Sequence, residues 1–274
     1  MMNGKMERRS FLAGSLAATV GASTVGSLAA GQQGSGGAGP REYYELRICR
    51  MNRGAAIQRL EDYFQNALIP AYRRLGAGPV GVFTVVVGPD SPSFYVLIPH
   101  PSAESACHIS NRLAEDAEYR KAAAAIREAP ATDPPYANIE SRLLLAADFM
   151  PRLEVPAGAA KNEPRIFELR TYRSHSKTAA RKKLEMFGPG GELGIFRRTG
   201  LQPVFFAETL YGPHMPSLCY MLVFPDQATR EKNWARFVAD PEWKKLSTTP
   251  GYTDAEIVAD IHNVLLRPTA YSQI

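Results

Sequence analysis

The sequence predicts an α+β fold in which two tandem ferredoxin-like repeats form a pseudo-dimeric α/β barrel within one chain. Three observations predict it. A set of motifs recurs about 124 residues further along the chain, which indicates an internal duplication. Each copy alternates strand-like and helix-like segments in the order β-α-β-β-α-β. Apolar residues make up 45% of the 274 residues, which is enough for a sizeable core.

The internal repeat is visible in short segments that keep nearly one spacing. Many matches in a single register define two copies, residues 41–151 and 164–274, joined by a Pro/Gly/Ala-rich linker at residues 152–163. The matched segments are Tyr44–Arg47 with Phe167–Arg170, Arg73–Gly76 with Arg197–Gly200, Gly88–Pro89 with Gly212–Pro213, and Asp116–Lys121 with Asp240–Lys245.

The elements of each copy follow from hydrophobic period and turn residues. Residues 43–50 alternate and predict a strand, whereas residues 54–75 have a helical period that Pro70 is expected to kink or end. The other predicted elements are strands at 80–87, 93–98 and 139–149, helices over 102–128, and second-copy strands near 165–172, 203–211, 217–224 and 256–266. Because helices cover one face of each sheet, we expect the other faces to pack together and close a barrel.

The first 30 residues have the features of an export signal. Their core is Arg8-Arg9-Ser10-Phe11-Leu12, followed by a weakly apolar run with small residues at its end. The pattern is similar to the twin-arginine consensus, so residues 1–30 are predicted to be a twin-arginine signal peptide. Residues 31–40 are predicted to be a flexible linker. We therefore expect a periplasmic or otherwise extracytoplasmic protein that folds before export.

Charge and cysteine content narrow the function classes. The net charge of +5 comes partly from the leader, and the other basic residues are scattered, so nucleic-acid binding is not expected. Three cysteines without Cys-x-x-Cys spacing argue against a disulfide framework or a zinc site. After the leader, no apolar run reaches the ~18–20 residues of a membrane span, so the mature part is not expected to span a membrane.

Several of these segments together resemble the NIPSNAP family of the dimeric α/β-barrel superfamily. They are the Tyr-Glu-Leu-Arg opening, the Arg-Arg-x-Gly before a hairpin, and the helical region that contains Trp234, Phe237 and Asp240–Lys245. The second copy matches better, and the first looks like a degenerate copy. The resemblance covers nearly the whole mature chain and implies the barrel fold. It implies no particular reaction.

The first strand of each copy carries the candidate site residues. Side chains alternate between the two faces of a strand, and we expect the alternate residues with polar side chains to face the barrel interior. Leu46 and Ile48 would then face the helices. The candidate interior residues are Glu45, Arg47, Glu168, Arg170 and Tyr172, with Cys49 on the same face.

Two interpretations of these charged pairs stay open. Buried charges must pair, so a structural Glu–Arg network that fixes how the sheets dock is the favoured interpretation. The alternative is a polar pocket in which Arg47 and Arg170 bind an anionic substrate and a glutamate acts as base.

The other residue types add little. His262, in the last strand, is the one histidine expected to point inward, and Trp234 and Trp243 are expected to pack in the core. No histidine spacing is typical of a metal site, and no phosphate-binding or dinucleotide motif is present. We predict no metal and no cofactor.

Three functions remain compatible with the sequence. The first is an exported NIPSNAP-like protein that binds a small molecule or an envelope partner. The second is a cofactor-free monooxygenase or isomerase that uses the barrel interior, and the third is a structural or assembly role. A large polar cavity in the barrel would favour the enzyme, and a filled barrel would favour the other two. An intrachain pseudo-dimer removes the usual need for a homodimer, so a monomer is expected.

Overall fold

The computed structural model describes residues 40–51, 54 and 56–274. The predicted signal peptide, residues 1–30, and all of the predicted linker except Pro40 lie outside the described residues. Within the described part, no helix is both long and apolar enough to cross a membrane.

Eight antiparallel strands form one closed barrel in the order β1-β3-β2-β8-β5-β7-β6-β4. Each copy supplies four neighbouring strands, and the copies meet at the β2–β8 and β4–β6 pairs. A mixed α/β fold built on a closed barrel and two repeats is therefore confirmed. The strands are β1 (Tyr43–Arg50), β2 (Gly81–Val87), β3 (Ser93–His100), β4 (Asn138–Ala146), β5 (Ile166–Arg173), β6 (Gln202–Tyr211), β7 (Ser217–Phe224) and β8 (Asp260–Pro268).

The helices pack on the outer face of the barrel, where they bury a separate apolar layer in each copy. Polar side chains cap several of them: Ser102, Asp116, Ser176, Asp226 and Asp240 each accept a backbone N–H of the first turn, as helix N-termini require. The helices are α1 (Ala56–Tyr63), α2 (Ile69–Arg74), α3 (Ala103–Glu115), α4 (Ala117–Ala122), α5 (Ala124–Arg127), α6 (Lys177–Phe187), α7 (Glu192–Thr199), α8 (Gln227–Ala239), α9 (Pro241–Ser247) and α10 (Asp254–Ile257).

Two elements differ from the sequence prediction. The helix predicted over 54–75 contains a π-helical turn, Phe64–Leu68, between α1 and α2, because Pro70 cannot donate the hydrogen bond that a continuous α-helix needs there. The strand predicted over 256–266 begins only at Asp260, because Thr253 and Glu256 form a capping box that starts α10.

The two copies pair their strands in the same register. Arg47 lies opposite Val96 in the β1–β3 pair, and Arg170 lies opposite Tyr220 in the β5–β7 pair. Positions in the two copies can therefore be compared one by one.

Apolar side chains from all eight strands fill the barrel interior. The rings of Phe83 and Phe167 meet with centroids 4.9 Å apart, and those of Tyr44 and Phe205 with centroids 5.1 Å apart. An eight-stranded barrel is just wide enough for side chains to fill it. The interior residues include Leu46, Ile48, Leu97, Leu144, Leu169, Ala207, Met221 and Leu266.

Candidate functional site

The expectation that the charged residues of the first strands face the barrel interior is wrong. Leu46 and Ile48 point inward, and the alternate residues Glu45, Arg47, Glu168, Arg170 and Tyr172 lie between the sheet and the helices. Side chains of the helical layer and of neighbouring strands supply hydrogen-bond partners there, whereas the middle of the narrow interior is apolar. Isolated charges in that interior would be strongly destabilising.

In the first copy, Arg47 joins the sheet to helix α2. Its Nε and Nη2 donate to the two carboxylate oxygens of Glu45 over 2.5 and 2.8 Å, and Nη2 also donates to Oη of Tyr72 over 2.6 Å. Burial lowers the pKa of Arg47, but Tyr72 and Glu45 outweigh that effect and raise it. Arg47 is therefore a permanent cation whose Nη1 makes no hydrogen bond to any residue that the structure describes.

The partner carboxylate is held ionised. Ser141 donates from Oγ to Glu45 over 2.7 Å, and Nε2 of His100 lies 3.9 Å from Glu45. Burial raises the pKa of Glu45, but His100, Arg47 and Ser141 together lower it to about 2. Glu45 therefore balances the charge of Arg47 at any physiological pH.

A cavity of about 230 Å³ lies beside Arg47, between the sheet and the first-copy helices. Aromatic rings form much of its wall, and the hydroxyl groups of Tyr63 and Tyr119 are hydrogen-bonded over 2.9 Å. Exposed residues at 127 and 139 mark its rim. The lining residues are Arg47, Cys49, Leu60, Tyr63, Phe64, Tyr119, Ile126, Arg127, Tyr136 and Ile139.

Small side chains create this cavity. Cys49 and Val96 stand on β1 and β3 where the second copy has Tyr172 and Tyr220 on β5 and β7. Burial raises the pKa of the Cys49 thiol to about 11, so it is protonated at neutral pH and is a poor nucleophile.

In the second copy, Glu168 is completely enclosed. Nη1 of Arg170 donates to it over 3.0 Å, and Arg230 on α8 donates to both of its oxygens over 2.7 Å. Nε1 of Trp234 and Nδ2 of Asn263 each add a donor at 2.7 Å. Burial raises the pKa of Glu168, but Arg230, Trp234 and Arg170 outweigh this effect and lower it. Such a saturated carboxylate is structural.

Aromatic rings fill the second-copy space that corresponds to the cavity. Arg170 donates from Nη2 to Oη of Tyr172 over 2.9 Å, and the hydroxyl groups of Tyr172 and Tyr220 lie 3.1 Å apart. The rings of Phe206 and Tyr220 stack with centroids 4.7 Å apart. The two copies thus share a Glu–Arg pair and differ in the space beside it.

The second copy also buries an ion pair. Nζ of Lys183 on α6 lies 3.1 Å from Glu192 on α7, and both side chains are at most 2% exposed. Burial raises the pKa of Glu192 to about 7, against the opposing effect of Lys183. The repeat spacing is about 124 residues, so Lys183 corresponds to Leu60 in the first copy and Glu192 corresponds to Leu68.

His262 lies at one mouth of the barrel and is exposed. Its ring centroid is 4.3 Å from that of His214, and its Nε2 lies 3.2 Å from Asp260. The mouth holds a cavity of about 280 Å³ that Arg142 and Glu140 also line. Their charges are already paired, because Arg142 donates to Glu140 over 2.7 Å. No group of three or more potential metal-ligating side chains is found within residues 40–51, 54 and 56–274.

Sequence reasoning missed the side chains outside β1 and β5 that contact the two Glu–Arg pairs. Tyr72 and His100 were not singled out, and Trp234 was expected only in the core, yet it donates directly to Glu168. Arg230 and Trp234 are four residues apart, so the helical period puts them on one face. The spacing places the two side chains next to each other, but it does not show which strand residue they contact.

The comparisons with known proteins agree with the barrel. The NIPSNAP family model matches the chain twice, over residues 44–151 and 167–273. A search of curated proteins finds no match.

Solved structures are similar to this chain at low sequence identity, and the first of them shows the shared fold. A protein from Lactobacillus acidophilus NCFM, provisionally described as a monooxygenase, has a TM-score of 0.54 and 8% identity over 85% of this chain and 97% of its own. An uncharacterised NIPSNAP-like domain protein from Burkholderia xenovorans has a TM-score of 0.36 and 22% identity over 40% of this chain and 90% of its own. A NIPSNAP family protein of unknown function from Agrobacterium tumefaciens has a TM-score of 0.34 and 20% identity over 39% of this chain and 90% of its own. With the family model matched over both repeats, this chain belongs to the NIPSNAP family.

Proposed function

We propose that this protein binds a small organic molecule in the first-copy cavity beside Arg47, and that the second copy is its structural counterpart. In this proposal each copy is a ferredoxin-like unit. The observation that carries it is the contrast between the copies: the same Glu–Arg pair stands beside an open cavity in one and beside packed tyrosines in the other.

The size and wall of the cavity define the ligand. Typical drug-sized sites measure roughly 300–1,000 Å³, whereas an apolar cavity of about 150 Å³ takes benzene. A space of about 230 Å³ therefore suits a molecule with one ring. The free Nη1 of Arg47 would receive an oxygen of that molecule.

Binding fits the chemistry of the cavity better than catalysis does. A general base works best when its pKa lies near the working pH, but Glu45 has a pKa of about 2 and the Cys49 thiol one of about 11. The middle of the barrel interior, where a monooxygenase or isomerase reaction was envisaged, is filled with apolar side chains, and in the cavity at its mouth Arg142 and Glu140 are already paired with each other. The proposal invokes no cofactor.

We also propose that the protein acts outside the cytoplasm after twin-arginine export. The Arg8-Arg9-x-Phe-Leu segment supports this route, and the free state of Cys49, Cys107 and Cys219 fits folding in a reducing compartment. Replacing Arg8 and Arg9 by lysine should leave the precursor in the cytoplasm. Normal export of that variant would contradict the route.

A variant in which a larger side chain fills the cavity tests the binding proposal. Cys49→Tyr copies the second-copy residue into the first copy, and Cys107→Tyr makes the same change at an exposed position as the control. In NMR saturation-transfer screening of one-ring fragments, we expect binding to the wild type and to Cys107→Tyr, and none to Cys49→Tyr. Cys49→Leu serves if the tyrosine is not accommodated. Equal fragment binding to the filled variant would overturn the proposal.

A further inference from the structure

In the second copy, a tyrosine of the chain itself makes the contacts that a bound phenol would make. The phenol ring of Tyr172 lies under the guanidinium of Arg170, 5.3 Å from its central carbon to the ring centroid. Nη2 of Arg170 donates to the phenol oxygen over 2.9 Å. The ring belongs to the chain itself, but its contacts are those that a separate phenol would make.

The first copy has no ring at position 49, and the phenol that accepts a hydrogen bond from Nη2 of Arg47 is Tyr72 on α2, over 2.6 Å, so Nη1 is the nitrogen left for a ligand. Cys49 stands opposite Phe94 in the β1–β3 pair, as Tyr172 stands opposite Leu218 in the β5–β7 pair. Arg47 occupies the place of Arg170, two residues earlier on the same strand face. The difference between a cysteine and a tyrosine at this position is a six-membered ring with a hydroxyl group. The cavity lies where that ring is missing.

We infer, on the basis of the proposed binding function, that the ligand is a neutral phenol with one aromatic ring. Its ring would take the space that Tyr172 fills in the second copy, and its hydroxyl oxygen would accept a hydrogen bond from Nη1 of Arg47. Tyr63, Phe64 and Tyr119 supply the aromatic wall that such a ring prefers.

Charge selects a phenol over an organic acid. Glu45 already binds Arg47 through two hydrogen bonds, so the pair is neutral as a unit. A carboxylate brought into the cavity would be a second anion beside Glu45, and its desolvation would not be repaid. A phenol has a pKa near ~10, so it enters as a neutral acceptor. A hydrocarbon of the same shape would leave Nη1 of Arg47 without a partner.

Isothermal titration with p-cresol, toluene and p-toluate tests the inference on the mature protein. We expect p-cresol to bind at least ~10-fold more tightly than toluene, because only the phenol oxygen can accept a hydrogen bond from the charged guanidinium, and charge-assisted hydrogen bonds are stronger than neutral ones. p-Toluate should bind more weakly than p-cresol. Cys49→Tyr should abolish p-cresol binding, and Cys107→Tyr should not change it.

The possible failures are distinct. If fragments bind the wild type but not Cys49→Tyr, and toluene or p-toluate binds as well as p-cresol, the phenol assignment is overturned and the binding site stands. If p-cresol binds the wild type and Cys49→Tyr equally, both proposals are overturned.

A variant of the second copy tests directly whether Arg170 recognises the hydroxyl group of a phenol. Tyr172→Ala removes the ring beside Arg170 and should lower Tm, and added p-cresol should restore Tm more than toluene at the same concentration. Tyr172→Phe, which keeps the ring, should gain nothing from p-cresol. Equal rescue of Tyr172→Ala by toluene would show that Arg170 does not recognise the hydroxyl and would overturn the inference.

Discussion

At the scale of single residues, Glu45 and Glu168 show how one position takes two roles. Both accept hydrogen bonds from the arginine two residues further along their strand. Glu168 is fully buried and also receives Arg230, Trp234 and Asn263 from other elements. Glu45 keeps 15% of its side chain exposed. Glu168 ties helix α8 to the sheet, whereas Glu45 binds Nε and Nη2 of Arg47 and leaves Nη1 for the proposed ligand.

The two glutamates should therefore differ in their contribution to stability. Glu168→Gln leaves two buried guanidinium groups without a counter-ion, and we expect a loss of about 3–5 kcal/mol in the free energy of unfolding. Glu45→Gln should cost less, roughly 1–3 kcal/mol, because water reaches its site. Urea denaturation of both variants measures the difference. Equal losses would contradict the structural role assigned to Glu168.

Glu192 should give the protein a pH dependence of its own. Its pKa is about 4.5 in an unfolded chain and about 7 when buried, so the folded state binds more protons between these values. Stability should therefore fall as pH rises from about 4.5 to 7 and should change little from this cause above 7. The shift corresponds to roughly 3 kcal/mol.

Glu192→Gln keeps the neutral form at every pH and should remove this decline. Urea denaturation between pH 5 and 8 measures it. An unchanged slope in the variant would show that Glu192 is ionised throughout. Glu45 acts in the opposite sense, because its lowered pKa adds stability that is lost only as pH falls from about 4.5 toward 2.

At the scale of elements, a buried ion pair joins α6 to α7 in the second copy. Lys183 and Glu192 meet in the second copy, where the first copy has the buried pair Leu60 and Leu68. Lys183 is surrounded by the rings of Tyr172, Phe187 and Trp243. The second copy therefore buries two charged groups at positions where the first copy buries two leucines.

At pH 8, above the pKa of about 7 of Glu192, the double substitution Lys183→Leu with Glu192→Leu should be neutral or stabilising by ~1–4 kcal/mol, because two desolvated charges are replaced by apolar side chains. Each single substitution should cost about 3–5 kcal/mol, since it leaves the other group buried and unpaired. A double-mutant cycle by chemical denaturation measures the coupling. Additive losses in the double variant would contradict the interpretation.

At the scale of the whole molecule, the barrel is one structure that both copies must complete. The copies are hydrogen-bonded to each other through β2–β8 and β4–β6, and they share one apolar interior. A single copy would expose half of that interior and two unpaired strand edges, which promotes association. Within the linker between the copies, Leu153 packs against the shared interior.

Splitting the chain between Lys161 and Asn162 should therefore keep the barrel. We expect the two fragments to co-purify as a 1:1 complex when they are produced together. Either fragment alone should aggregate or form a homodimer. Size-exclusion chromatography with light scattering distinguishes these outcomes. A folded monomer of one fragment would show that the copies are independent domains.

Much of the fold could be predicted from the sequence, and the site could be predicted only in part. Tyr44–Arg47 and its repeat identified the strands that carry the Glu–Arg pairs. The direction of those side chains was wrong because both faces of β1 and β5 are buried, one by the interior and one by helices. An alternating pattern does not say which face is which when neither meets water.

The sequence by itself determined the duplication, the element order and the family, because these depend on residue type and spacing along the chain. Only the tertiary structure decided that the barrel is filled, that Glu168 is enclosed, and that a cavity remains beside Arg47. A cavity is the space left over when side chains from distant segments pack. Cys49, Tyr63 and Tyr119 show this, since they line one cavity from three different elements, and no spacing along the chain records the volume between them.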